Sequence, residues 1–180
     1  MPEALIPLLL KLPGRHVKYA AGEAVFRVGD QVRSLHVVCE GRIHLVRHQA
    51  DGSALILQRA EAGAVLAEAS LHSPFFHCDA VAEADSLLWV IRRKDLRSRF
   101  QQDQGLSEAW SRYLAHEVQR ARLHAEILSF KTVAARLDSW IDWHGALPEK
   151  GRWVTVAQQI GVSPEAFYRE LTKRREQHKQ

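Results

Sequence analysis

Four glycines in the first half of the chain constrain its fold more than any other feature. Gly29, Gly41, Gly52 and Gly63 follow one another at intervals of about eleven residues, between short segments of alternating apolar and polar residues. Evenly spaced strands and turns of this kind are typical of an antiparallel β sandwich or barrel. Glycine takes positive φ readily, so we expect tight hairpins at Gly41 and Gly52 and a meander of antiparallel strands.

The second half of the chain has a helical period. Between Ser107 and Ser129 a stripe recurs at steps of three and four, formed by Trp110, Leu114, Val118, Ala121, Ala125 and Leu128. This long helix either packs on its own β domain or forms half of a dimeric coiled coil, and the periodicity leaves both open. A second amphipathic helix follows in "KTVAARLDSWIDWHG", with Gly145 as its expected C-cap.

The stretch "VAQQIGVSPEAFYREL" predicts two short helices joined by a tight turn. Ala157 is small enough for a close helix crossing, and Gly161 suits the turn. Ser163 can cap the second helix, with Pro164 at its first position. The pattern indicates a helix-turn-helix, whose second helix would present Glu165, Tyr168 and Arg169 to base edges in the major groove of DNA.

Charge favours the same interpretation. The net charge is +4, and the last helix ends in a basic run that includes Lys173, Arg174 and Arg175, where a polyanion such as DNA could bind. No apolar run is long enough for a membrane span, so we expect no membrane association. With two cysteines and no export signal, a reducing cytoplasm is expected, without a structural disulfide.

A metal-dependent enzyme of the cupin type is the alternative that a histidine-containing β barrel raises. If Glu40 and Gly41 formed a two-residue hairpin, His44 would pair opposite Val37, so His36 and His44 would face opposite sides of the sheet. The sequence also lacks a His-X-His pair with a following carboxylate, a nucleophile elbow and a phosphate loop. We therefore predict that the chain is not an enzyme and has no metal site.

The order of these segments resembles the cyclic-AMP receptor protein and fumarate-nitrate regulator (Crp/Fnr) family of bacterial transcription regulators. The resemblance runs from about Gly22 to Lys173 and includes "GEAVFRVGD", "VCEGRIHLV" and "AQQIGVSPEAFYREL". It implies an α+β fold with three parts: an antiparallel β-roll sensor domain over residues 1–105, a long dimerisation helix over 106–129, and an all-α helix-turn-helix domain over 130–180. Double-stranded DNA and a second copy of the chain are the implied partners, with RNA polymerase and a small-molecule effector as further ones.

The resemblance also implies roles for residues of the helix-turn-helix. Ser163 matches a phosphate contact, and Glu165 and Arg169 match the residues that read bases. Pro164 stands where the best-known member has an arginine, so the preferred base sequence cannot be carried across. Family members continue into a β hairpin, the wing, whereas this sequence ends in "KRREQHKQ"; we expect a wingless reader whose basic end supplies some of the phosphate contacts.

The effector segment departs from the family. Cyclic-nucleotide binders have a Gly-Glu pair for the ribose and an Arg followed by Ser or Thr for the phosphate. This chain has Ala67 before Glu68, and Phe76 and His77 at the Arg-Ser position, so a cyclic nucleotide is not expected. The expected effector pocket is lined by Glu68, Ser70, Phe76, His77 and Cys78.

The identity of the effector is left open by the sequence. Haem bound through His77, Cys78 or His72 is an alternative, although such residues beside phenylalanines more often form a packed core. Two cysteines cannot supply the four thiolates of an iron-sulfur cluster. A second functional alternative is a dimeric small-molecule or haem sensor, or an interaction module, with impaired DNA binding.

Overall fold

The structure is a computed structural model that describes residues 4–49 and 54–177. The chain divides into two compact units, one up to Leu114 and the other from Ala115 onward. The first contains all the strands and the second contains the last four helical segments, with helix α3 (Gln104–Ser129) beginning in one and ending in the other. We describe each unit by itself.

The first unit is an antiparallel β roll. After helix α1 (Leu5–Leu10) come the strands β1 (Gly14–Tyr19), β2 (Ala24–Phe26), β3 (Ser34–Glu40), β4 (Arg42–His48), β5 (Ala54–Glu61), β6 (Val65–Leu66), β7 (Asp79–Ala82) and β8 (Ser86–Arg92). They form two four-stranded sheets, in the orders β1-β8-β3-β6 and β2-β7-β4-β5. A short 3-10 segment (Glu68–His72) links β6 to β7, and helix α2 (Arg93–Gln102) follows β8.

The predicted hairpin at Gly41 is wrong, and with it the simple meander. Strands β3 and β4 belong to different sheets, so the chain changes sheet at this turn. Gly41 has the expected positive φ of 85°, but the nearby backbone of Asp85 and Ser86 leaves no room for a Cβ atom. The glycine thus serves a crossing between sheets, a use that strand spacing cannot distinguish from a hairpin. The turn predicted at Gly52 lies outside the described residues, although β4 and β5 do pair.

The pairing proposed for the two histidines is wrong for the same reason. His44 on β4 lies opposite Arg59 and Val81. His36 on β3 lies opposite Leu66 and Val90, in the other sheet. The two side chains therefore cannot be compared across a shared hairpin.

Two apolar clusters stabilise the first unit. One lies between the sheets and includes Phe26, Val38, Ile43, Phe76, Cys78 and Leu88. The other packs α1, α2 and the start of α3 against the β1-β8-β3-β6 sheet and includes Leu5, Leu9, Leu35, Ile91, Leu96, Leu106 and Trp110. Burial on this scale is the main stabilising term for such a domain.

The second unit is all-helical. It contains the end of α3, then α4 (Val133–His144), a 3-10 turn (Lys150–Arg152), α5 (Trp153–Gln159) and α6 (Pro164–Gln177). The Thr132 hydroxyl caps α4 at its start, and Gly145 ends it as predicted. The core includes Ile127, Leu137, Trp140, Val156, Ile160, Phe167 and Leu171.

The stripe on α3 has two environments. Trp110, near its start, is buried in the first unit. Further along, Val118 is 49% exposed and Leu128 is 40% exposed, and Ala121 and Ala125 are also exposed. Packing on the β domain therefore accounts for only the beginning of the stripe.

Candidate nucleic-acid interface and effector segment

Helices α5 and α6 are the two helices joined by a tight turn that the sequence predicts. The turn between them is short, and the Val162 amide donates to the Ala157 carbonyl at 3.0 Å. Gly161 has a φ of 66°, and a Cβ there would collide with the Leu128 side chain, so glycine is required on two grounds. The Ser163 hydroxyl accepts from the Ala166 amide at 3.2 Å and caps α6 at its first residue, Pro164.

Helix α6 has a buried side and an exposed side. Phe167 and Leu171 lie in the core, with Phe167 fully buried. Glu165, Arg169 and Lys173 are exposed and follow at steps of four, which places them on one face of the helix. Ser163 and Tyr168 are also exposed, whereas Pro164 is half-buried. The structure thus brings most of the predicted DNA-contacting residues to the surface at the start of α6.

The carboxylate of Glu165 is held in its charged form. A hydrogen bond with its own backbone amide lowers the pKa of Glu165, and a hydrogen bond with the Ser163 side chain and the charge of Arg169 lower it further. An ionised carboxylate is acceptor-only, which suits it to the amino group of cytosine.

The three basic residues at the end of α6 have different surroundings. Lys173 is exposed. Arg174 donates to the Asp138 carboxylate at 2.6 Å, to Glu170 at 2.9 Å and to the Ala134 carbonyl at 3.0 Å, so it fastens α6 to α4. The Arg175 guanidinium lies over the Trp153 ring, 5.5 Å from its centroid. Arg174 is therefore placed as a packing residue, and Lys173 as a residue that faces solvent.

Sequence reasoning missed Arg136, which holds the helix-turn-helix turn. From α4 its guanidinium donates to the Ile160 and Gly161 carbonyls in the turn, at 3.1 Å each. It also donates to the Leu128 and Phe130 carbonyls at the end of α3, at 3.2 and 2.8 Å. The available signal was a charged residue on the apolar face of α4, three residues after Val133 and four before Trp140.

The predicted effector residues lie around the 3-10 segment and the loop before β7. Ser70 is buried and its hydroxyl is 3.0 Å from Nδ1 of His77, whose side chain is exposed. Phe76 is 5% exposed and its ring stacks on Phe26, with centroids 3.7 Å apart. Cys78 is buried in the same cluster, and Glu68 is half-buried.

These residues do not fit a cyclic nucleotide. Among the described residues the buried polar side chains are His36, Ser70 and Ser86, and no lysine or arginine is among them. An arginine from another strand, Arg47, does reach this segment and donates to the His77 carbonyl at 3.4 Å, but it is exposed. A buried cyclic phosphate would have no cation to offset its desolvation.

His36 is a second residue that sequence reasoning did not assign to this region. It is 7% exposed, and its ring lies 5.6 Å from Phe26 and 6.4 Å from Phe76, centroid to centroid. Its Nδ1 has no hydrogen-bond partner in the described part of the chain. Burial lowers the pKa of His36 from 6.5 to about 4, so the ring is neutral at physiological pH.

The described residues contain no group of three His, Cys, Asp or Glu that could hold a metal ion. Haem iron needs only one or two axial ligands from the protein, so the surroundings of each candidate ligand decide. His72 and His77 are exposed while Cys78 is buried, and burial raises the pKa of the Cys78 thiol, which disfavours the thiolate that binds metals. Cys39 and Cys78 are both free thiols.

The family comparison identifies the first unit. Residues 16–103 match the cyclic nucleotide-binding domain family. No curated protein is a significant match to the sequence. No helix in the described residues is long and apolar enough to cross a membrane.

Several solved structures are similar to this chain along nearly its whole length. FixK2 from Bradyrhizobium japonicum is 20% identical with a TM-score of 0.66, over 93% of this chain and 87% of that chain. The c-di-GMP responsive global regulator CLP of Xanthomonas campestris is 20% identical with a TM-score of 0.63, over 98% and 93%. The catabolite activator protein of Thermus thermophilus is 21% identical with a TM-score of 0.56, over 97% and 84%.

The chain therefore has, over residues 16–103, a β roll that matches the cyclic nucleotide-binding domain family, and helices follow it in an α+β fold. As a whole it has the fold of the Crp/Fnr-type transcription regulators, which confirms the resemblance seen in the sequence.

Proposed function

We propose that the protein is a homodimeric DNA-binding transcription regulator, located in the cytoplasm, whose helix-turn-helix reads the major groove. Its β roll acts as the sensor domain and responds to something other than a cyclic nucleotide. The proposal keeps the parts predicted from the sequence: a sensor over 1–105, a dimerisation helix over 106–129 and a DNA-binding domain over 130–180.

The observation that carries the proposal is the outer face of α6. Phe167 and Leu171 anchor the helix, so Glu165 and Arg169 project from a fixed position. Arginine can bind guanine in two-pronged fashion and a carboxylate can accept from cytosine, each good pair contributing about 1–3 kcal/mol of discrimination. Lys173, one turn further along, is placed to contact a phosphate.

The exposed part of the α3 stripe supports a homodimer. Val118 and Leu128 are large apolar side chains that face solvent in the single chain, with Ala121 and Ala125 between them. Small and apolar residues at steps of three and four suit the seam of two packed helices. Pairing through this stripe would place two recognition helices on one DNA site.

The test is selection of bound sequences from a random pool of double-stranded DNA, using the full-length protein at near-physiological salt. We expect enrichment of a two-fold-symmetric site with half-sites about one helical turn apart. Two variants sharpen the test. Arg169→Ala removes both the positive charge and the paired N–H donors of the guanidinium, whereas Arg169→Lys keeps only the charge.

For the selected site we expect both variants to lose about 10- to 100-fold in affinity per half-site, since each protomer loses the two-pronged contact. On unrelated DNA, Arg169→Lys should bind like the wild type. Failure of the wild type to enrich any site, also in the presence of cell extract, would contradict the proposal. That result would favour a dimeric sensor or interaction module with impaired DNA binding.

A further inference from the structure

The first unit also has a shallow cavity of about 400 Å³, largely open to solvent, whose lining consists almost entirely of cationic side chains. It lies where the start of β3, the end of β8 and the first turns of α2 meet. None of the predicted effector residues lines it. The lining residues are Arg33, Ser34, Arg92, Arg93, Lys94 and Arg97.

The positive charge of this cavity is not neutralised by the protein. Arg92 pairs with Asp95 at 2.6 Å. The other four cations form no ion pair with any carboxylate among the described residues, and no acidic side chain lines the cavity. Protein surfaces usually carry positive and negative charges interspersed, because like charges held together repel one another.

Two of the guanidinium groups are nevertheless held in place by neutral acceptors. The Arg33 Nε and Nη2 atoms donate to Oε1 of Gln31 at 3.2 and 2.9 Å. Arg93 donates from Nη1 to the Val32 carbonyl at 3.2 Å. An amide or carbonyl oxygen fixes the direction of a guanidinium and leaves its full charge, so these arginines are oriented before any ligand arrives.

The lining also limits what the ligand can be. Arginine forks match phosphate oxygens, and Lys94 adds a point charge. The Ser34 side chain can add a hydroxyl donor. The cavity has no aromatic lining residue on which a base could stack.

We propose that this cavity binds a compact polyphosphate anion, recognised through its phosphate oxygens by Arg33, Arg93 and Arg97. The site lies within the first unit and would make the β roll responsive to a ligand that its interior could not accept. Binding would stabilise the folded protein by bringing negative charge among the four unpaired cations.

The experiment is calorimetric titration of the full-length protein with sodium tripolyphosphate at constant ionic strength, without divalent metal. We expect saturable binding. The variant Arg33→Ala/Arg97→Ala should bind at least 10-fold more weakly, and Arg97→Ala alone should show a smaller loss. Arg99→Ala is the matched control, since Arg99 lies on the same helix outside the cavity and pairs with Asp103. Its affinity should stay within twofold of the wild type.

Three results would overturn the proposal. One is the absence of saturable binding by the wild type at millimolar tripolyphosphate. Another is an equal loss in Arg99→Ala, which would indicate a general charge effect. The third is a double variant that weakens binding of duplex DNA and leaves tripolyphosphate binding unchanged, which would assign the cations to nucleic acid. Because Arg33 and Arg97 are exposed, the double variant should unfold at the wild-type temperature when no ligand is present.

Discussion

The segment predicted to bind an effector and the helix predicted to read DNA differ in how their side chains are packed. In the segment from Ala67 to Asp79, where the resemblance implies a phosphate-binding pair, Phe76 lies in the core. In α6 the polar residues face outward from a helix anchored by two apolar ones. The first region contributes a buried side chain to the core, whereas the second exposes its polar side chains to solvent.

The comparison teaches that the same kind of substitution has different meanings at buried and exposed positions. An apolar residue at a ligand position removes binding and adds stability when it is buried. A polar residue on a solvated face contributes little to stability, so it can contact a partner without a cost to the fold.

The largest expected effect is on the free energy of unfolding, and it comes from a substitution at the buried residue Phe76. Phe76→Ala should lower the free energy of unfolding by about 3–5 kcal/mol, because it removes a ring stacked on Phe26 inside the roll. Phe75→Ala is the matched control, since Phe75 is 50% exposed, and it should cost less than 1 kcal/mol. Urea unfolding measures both. Equal costs would show that Phe76 is not a core residue.

Arg136→Ala tests whether the exposed face of α6 depends on the hydrogen bonds that Arg136 makes beneath it. Losing hydrogen bonds to four carbonyls should cost about 3 kcal/mol of stability and weaken DNA binding, because the turn before α6 loses its anchor. Arg136→Lys should not restore either property, since an ammonium cannot span two segments with a fixed fork. DNA affinity is measured at a temperature where the variant is folded. Full rescue by lysine would refute the geometric role.

His36 makes the stability of the β roll depend on pH. The unfolded chain binds a proton at His36 near pH 6.5, and the folded protein does so only near pH 4. Stability is therefore full above pH 6.5 and falls as the pH drops towards 4, with a loss of about 2 kcal/mol at pH 5. His36→Leu should remove this component, and His72→Asn, at an exposed position, should keep it. Thermal unfolding from pH 7 to 4.5 decides between them.

The smallest effects separate two neighbours on α6. Arg174→Ala should cost about 1 kcal/mol of stability, since Arg174 joins α6 to Asp138, and should leave the salt dependence of DNA binding unchanged. Lys173→Ala should leave stability unchanged and reduce the steepness of log affinity against log salt by about 1.8 for the proposed homodimer, since each protomer loses one phosphate contact of about 0.9. The reverse assignment would show that Arg174 leaves its partners to bind DNA.

Features that depend on local pattern were predictable from the sequence. The caps at Ser163 and Gly145 and the turn at Gly161 follow from backbone requirements that few residues satisfy. The sheet change at Gly41 was not predictable, since a hairpin and a crossing need the same positive φ. The approach of Arg47 to His77 and the clamp at Arg136 depend on which strands and helices become neighbours, information that spacing along the chain does not contain.

The Arg136 contacts also have a mechanical consequence. A single rigid guanidinium ties the end of α3 to the turn that aims α6, through four hydrogen bonds that have no rotatable link between them. A twist or shift at the end of α3 would then also move the turn before α6. Through such a rigid connection, a small displacement at the end of α3 would change the orientation of α6. The Arg136 side chain would then transmit movement between two segments as well as stabilise them.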